Sequence, residues 1–198
     1  MAERWNEEYR KGAHWETGKP SSHMRHFVKY LKPGCRILDA GCGSGNNSIF
    51  LSEAGHAVTG IDISSVAISK AREESKRRGL KIQFDVGDLN DLPYRNEEFD
   101  ATYCGYTLHH TNLSASLAGL ARVLASSGVL YVIMFQTIKY KDSAKYDVHF
   151  SSEEITSVMS RYFQVIKEPV YDEYNEVDEH GEHYHKRMVV VLKKNIRL

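Results

Sequence analysis

Apolar positions along this chain fall into two alternating patterns. Runs that are apolar almost throughout, at 35–40, 57–62, 81–86, 99–104 and 128–135, read as strands buried on both faces. Between them lie segments with helical spacing: one from about Asn46 to Ala54, one over 64–78 closed by Gly79, and one with Leu113, Leu117, Leu120 and Leu124 on a single face. An earlier helix is capped by Ser21 or Ser22, presents Met24, Phe27, Tyr30 and Leu31, and stops at Lys32-Pro33-Gly34. Strand and helix in turn predict an α/β fold, a doubly wound parallel sheet covered on both sides.

The pattern changes after residue 135. Ser151-Ser152-Glu153-Glu154 reads as a capping box opening a helix that buries Ile155, Val158, Met159 and Tyr162. Two β-rich runs follow, 163–171 and 184–193, joined by a polar segment from Asp172 to His183. No crossover helix separates them, so they should pair antiparallel and end the sheet in a hairpin. At the other end, residues 1–20 are polar and aromatic, with Trp5, Tyr9, Trp15 and a Gly18-Lys19-Pro20 break.

Composition narrows the classes. A chain of 198 residues suits one domain with a sizeable core. Its 26 Lys and Arg balance 26 Asp and Glu, so no global field draws in nucleic acid or anionic lipid. The strongest apolar stretch, Val129 to Phe135, falls far short of the ~20 residues of a membrane span. Met1 to Trp5 holds no apolar leader, and Cys35, Cys42 and Cys104 lack metal-ligand spacing; reduced thiols in a cytoplasmic protein are expected.

The chemistry concentrates in Ile37-Leu38-Asp39-Ala40-Gly41-Cys42-Gly43-Ser44-Gly45, followed by Asp62 at the end of the next apolar run. A strand entering a glycine turn, with a carboxylate about 20 residues later, is the layout of a nucleoside-cofactor site. The glycines let backbone pass close under a ligand, and the carboxylate can accept two ribose hydroxyl protons. A simpler role for Asp62 is to cap the helix starting near Ser64.

Together with Gly60-Ile61-Asp62, Gly87-Asp88-Leu89, Phe99-Asp100 and Leu124 to Leu130, this motif resembles the class I S-adenosylmethionine-dependent methyltransferases over roughly residues 33–193. The resemblance implies a Rossmann-like, seven-stranded, mostly parallel sheet whose antiparallel last strand lies at the edge, and S-adenosyl-L-methionine as cofactor. Carried over residue by residue, Gly41, Cys42, Gly43 and Gly45 form the turn under the cofactor's amino-acid part, oriented by Asp39. Asp62 with Ile63 would meet the ribose, Asp88 the adenine amino group with Leu89 beside the ring, and Cys104 and Gly105 the sulfonium. The implied division is a lid or helix over 1–32, a cofactor core over 33–135, and a substrate loop with helix and hairpin over 136–198.

The front of the chain is similar to small-molecule methyltransferases acting on thiols, thiopurines or metalloid oxyanions, in which it folds over the cofactor. A small-molecule acceptor is therefore expected, met by Trp5, Tyr9 and Trp15, by Tyr106, and by a loop from Gln136 to Phe150 with Tyr140, Tyr146 and His149. The catalytic base stays unassigned, with His109, His110 and Tyr9 as candidates; an anionic acceptor would need none. His180, His183 and His185, beside Asp178, Glu179 and Glu182, could hold a metal, but a polar hairpin without one is the default. Three alternatives compete. A nicotinamide-dependent oxidoreductase wants a third glycine where Asn46 stands, and a non-catalytic cofactor binder would keep the site without turnover. An RNA or protein methyltransferase is disfavoured by the neutral charge and the absence of Asn-Pro-Pro-Tyr/Phe after the fourth strand. The oligomeric state is not legible.

Overall fold

The structure is a computed structural model that describes residues 1–142, 147–178 and 181–195. Strands β1 (Arg36–Ala40), β2 (Ala57–Asp62), β3 (Gln83–Val86), β4 (Phe99–Gly105) and β5 (Leu124–Tyr140) lie parallel. Helices α3 (Asn46–Glu53), α4 (Ser65–Arg77) and α5 (Leu113–Val123) make three of the connections, and residues 87–98 join β3 to β4 without a helix. After α6 (Ser152–Tyr162), β7 (Phe163–Asp178) and β8 (Gly181–Lys194) form the expected antiparallel hairpin. The sheet order is β3-β2-β1-β4-β5-β8-β7, with the two-residue β6 (Val148–His149) paired to β5.

Two apolar layers hold the helices. Leu117, Leu120 and Val123 of α5 and Ile155 and Met159 of α6 pack on Leu38, Val132 and Val190. On the other face, α2 (Met24–Phe27) and the 3-10 turn Val28–Tyr30 set Met24 and Phe27 against Tyr103, Tyr131 and Ile133. The capping box is formed: Glu154 N–H donates to Ser151 Oγ at 3.1 Å, and Ser151 N–H to Glu154 Oε2 at 2.7 Å.

The structure corrects four expectations. The last strand is antiparallel, but it lies between β5 and β7 rather than at the edge. Its run Met188-Val189-Val190-Val191-Leu192 is mostly buried and needs a neighbour on each side. β7, which carries Lys167, Glu168, Pro169 and two register shifts, suits an edge. The polar segment from Asp172 to His183 continues both strands, because polar cross-strand pairs hold the ribbon there, with Asp172 opposite Arg187 and Glu176 opposite His183. The loop expected from Gln136 begins as strand: β5 runs to Tyr140 with a shift between Phe135 and Thr137. Finally, Leu124 leaves the helix and opens β5.

Candidate active site

The site begins where β1 ends. Gly41, Gly43 and Gly45 have φ of +76°, +53° and +83°, a conformation that β-carbons resist. The amides of Gly41 and Cys42 donate to the Ile61 carbonyl at 2.8 and 3.0 Å, which ties the turn to the end of β2. A β-carbon on Gly41 would collide with the Thr107 side chain.

Asp62 joins the turn to α4. Its Oδ2 accepts from Gly43 N–H at 2.9 Å and its Oδ1 from Ser64 N–H at 2.8 Å. Burial pushes its carboxyl up, and the Ser64 and Gly43 donors oppose that shift. The α4 cap itself is Ser64, whose Oγ accepts from Ala67 N–H. Asp62 therefore braces the turn, and each carboxylate oxygen has a second lone pair to offer. Asp39 is buried beneath, takes a 2.6 Å bond from Ser48 Oγ, and has its pKa raised by burial to about 7.

Helix α1 (Ala2–Lys11) lies over this turn. Asn6 Oδ1 accepts from Ser64 Oγ at 2.8 Å and Val66 N–H at 3.2 Å, and Lys70 Nζ donates to the Tyr9 carbonyl at 2.6 Å. The Tyr9 hydroxyl packs so tightly on Gly43 that a β-carbon there would lie 2.5 Å from it. Trp5 contacts Trp15 at 5.9 Å and His110 at 4.8 Å, and Tyr9 meets Trp15 at 6.2 Å. The sequence singled out the aromatic residues here but missed Asn6, which sits between Trp5 and Glu7 with no motif to mark it.

The remaining cofactor candidates divide. Asp88 is exposed and accepts from Asn90 N–H at 2.9 Å, and the preceding Gly87 N–H donates to the Asp62 carbonyl at 3.0 Å. Ile63 is half-buried beside Asp62, and Cys42 is buried in the turn. Gly105 is partly exposed at the end of β4. Leu89 and Cys104 are buried and pack into the core with Leu38 and Leu108.

At the carboxyl end of β4, Tyr106 holds φ +57°, a strained conformation for a tyrosine. Its ring lies 5.4 Å from Phe135, and its hydroxyl accepts from Arg187 Nη1 at 2.7 Å. Asp172 clamps that guanidinium through both carboxylate oxygens. Arg187 was not foreseen, since one arginine in a strand carries no local signal. His109 is buried 5.0 Å from Phe135 and 4.0 Å from His110. Burial pushes His109 well down and His110 to about 4, so both are weak proton acceptors. Tyr9 is pushed up by burial and by the Asp62 charge, and stays a phenol.

Two acceptor candidates lie elsewhere. Ile133 is the β5 partner of Gly105, and Tyr140 follows it by seven residues, roughly 23 Å along an extended strand. His149 is exposed and opposite Thr137. Because β5 continues as strand, neither is gathered at the glycine turn. Tyr146, Glu179 and His180 lie outside the described residues, as does the side chain of Asp178; Glu182 is exposed and bonds Lys141.

The profile of a family described as a methyltransferase domain matches residues 37–128, a stretch that contains the glycine turn and Asp62. Over these residues the chain is similar to methyltransferase domains. The match favours methyl transfer over the reductase alternative. Among curated proteins, the chain is 26% identical over 156 residues to a 2-heptyl-1-hydroxyquinolin-4(1H)-one methyltransferase of Mycobacteroides abscessus, covering 76% of this chain and 68% of that one. Other relatives are much longer; the chain spans about a third of one that is 35% identical. A protein solved in connection with conversion of a disulfide bond into a thioacetal group during echinomycin biosynthesis superposes with a TM-score of 0.79 at 22% identity, over 100% of this chain and 94% of that one. A SAM-dependent methyltransferase from Methanosarcina mazei gives 0.72 at 22%, over 87% and 98%. At such identities the likeness is one of fold. Among the described residues, no helix is long and apolar enough to cross a membrane.

Proposed function

We propose that the chain is an S-adenosyl-L-methionine-dependent methyltransferase that methylates a small-molecule acceptor by in-line displacement. The observation that carries the reading is the closed cradle: three glycines at positive φ, braced by Asp62 through the Gly43 amide and covered by Tyr9. Asp62 would take the ribose hydroxyls on its remaining lone pairs, Asp88 the adenine amino group, and the turn from Gly41 to Gly45 the amino-acid part. When bound, the cofactor supplies a methyl group activated on sulfonium sulfur. Trp5, Tyr9 and Trp15 would keep water out, and alignment alone can lower the barrier by several kcal/mol.

The acceptor would sit at the carboxyl end of β4, beside Tyr106 and His110 and near Phe135 in the middle of β5. Both nearby imidazoles are weak bases, which favours an acceptor already anionic near neutral pH, such as a thiolate. The quinolone relative supports a small molecule, and the balance of charge tells against RNA. The buried free thiols Cys35, Cys42 and Cys104 agree with a cytoplasmic setting, and one domain over 1–198 would hold all of these parts.

Calorimetric titration with S-adenosylhomocysteine, with NAD in parallel, tests the cofactor. Micromolar binding of the first alone, ~8 kcal/mol, is expected; binding of NAD alone overturns the reading. In Asp62→Ala the affinity should fall by roughly 1.5–3 kcal/mol, and unchanged affinity in that folded variant would remove the ribose role.

A further inference from the structure

The outer part of the β7–β8 ribbon carries a polar cluster that methyl transfer does not use. Cross-strand register sets Glu176 opposite His183 and Tyr174 opposite His185. Two residues apart on one strand, the histidines share a face, and both are buried, at 4% and 5% exposure. Their rings lie 4.5 Å apart, and His185 Nε2 is 3.6 Å from Glu176 Oε2. One donor atom from each of the three residues falls within 4.8 Å of the other two.

Two further features suit an ion. His183 Nδ1 lies 3.0 Å from the Gly181 carbonyl, which can only accept, so Nδ1 carries the proton and the lone pair resides on Nε2. A hydrogen bond of this kind orients an imidazole toward a metal. Around the pair stand aromatic walls: Tyr140 stacks on His183 at 4.3 Å, Tyr174 on His185 at 4.9 Å, and Phe135 meets His185 edge-on at 4.4 Å.

We propose that Glu176, His183 and His185 form a binding site for one divalent transition-metal ion of the zinc class, with a fourth position left for water or an added ligand. Two imidazoles and one carboxylate favour zinc, cobalt, nickel or copper over magnesium or calcium. Bonds of about 2.0–2.1 Å in a tetrahedron place donors roughly 3.3 Å apart, so the cluster must contract by about 1.5 Å. The half-exposed Glu176 side chain has room to swing in. His185 pairs with Ile138, five residues beyond the partner of Gly105, about 16 Å along β5. The ion would lie away from the glycine turn, although Phe135 links His185 to Tyr106 and His109, and the proposal does not depend on the cofactor reading.

The test uses tag-free, chelator-treated full-length protein titrated with zinc in a calorimeter and with cobalt in a visible spectrophotometer. One zinc per chain with a micromolar or tighter Kd is expected, together with the intense visible bands of four-coordinate cobalt. Glu176→Gln, a surface change that leaves the core intact, should weaken zinc at least about tenfold, and His183→Ala and His185→Ala by more. Affinity for S-adenosylhomocysteine should stay within about twofold in Glu176→Gln. Absence of saturable zinc uptake, octahedral cobalt only, or unchanged zinc affinity in Glu176→Gln would overturn the site. If the histidine variants do not fold, Glu176→Gln and the cobalt spectrum decide by themselves.

Discussion

The parallel strands β1 to β4 and the ribbon of β8 and β7, which runs antiparallel to β5, treat polar groups in opposite ways. Around the glycine turn, several polar side chains lean on backbone: Asp62 takes amides of Gly43 and Ser64, and Asn6 takes the amide of Val66 beside the Ser64 hydroxyl. In the outer ribbon, side chains lean on each other, as in Asp172–Arg187–Tyr106 and the stacked rings of Tyr140, His183, His185 and Tyr174. A site made from backbone needs residues that free the backbone, so it leaves a local mark in the chain. A site made from side chains depends on register, which brings together residues far apart in sequence.

The sharpest break between the two halves is expected from Gly41→Ala. The new β-carbon meets Thr107 and inherits φ +76°, so unfolding free energy should fall by about 3 kcal/mol and binding of S-adenosylhomocysteine should be lost. Gly55→Ala carries similar strain at φ +90° with open space around it, and should cost only about 1 kcal/mol. Equal urea midpoints for the two would show that the turn is not a close-packed cradle.

A second contrast lies in pH. Asp39 has a folded pKa of about 7, above its unfolded value of ~3.9, so between those values the folded state holds the extra proton. Stability from this group therefore falls as pH rises through that window, by at most about 1.4 kcal/mol per pH unit. Asp39→Asn should gain on the parent from pH 4 to 7 and keep the advantage at pH 8, while binding cofactor less well. Urea midpoints that stay parallel at pH 5 and pH 8 would remove the burial argument.

The smallest effect should come from the ribbon side. Tyr106→Phe takes one acceptor from Arg187 and should cost about 1 kcal/mol, leaving S-adenosylhomocysteine affinity within about twofold. A tenfold loss by calorimetry would mean that the two halves do not act separately.

Legibility follows the same division. The run of strands and helices from β1 through α5, the capping box at Ser151 and the turn from Gly41 to Gly45 stand in the sequence, because each depends on spacing or on a residue type that few alternatives can replace; helix α1, over polar and aromatic residues, does not. Asn6 shows the limit: a residue with no motif around it gives no sign that its side chain will bond the Ser64 hydroxyl and the Val66 amide. The strands past Phe135 and Tyr171 were read as ending early, since polar residues held by partners across the sheet look like loop when seen alone. Arg187 and Glu176 gain their meaning only from those partners.

The outermost strand also bears on how copies of the chain meet. Along its first half, β7 exposes Val165, Ile166 and Val170, a surface that would invite another sheet to grow onto it. Pro169 removes a donor there, and the register slips between Val165 and Lys167 and again between Lys167 and Val170. An incoming strand finds a broken ladder at the stickiest stretch, and open-ended polymerisation is checked by geometry while the apolar side chains remain in place.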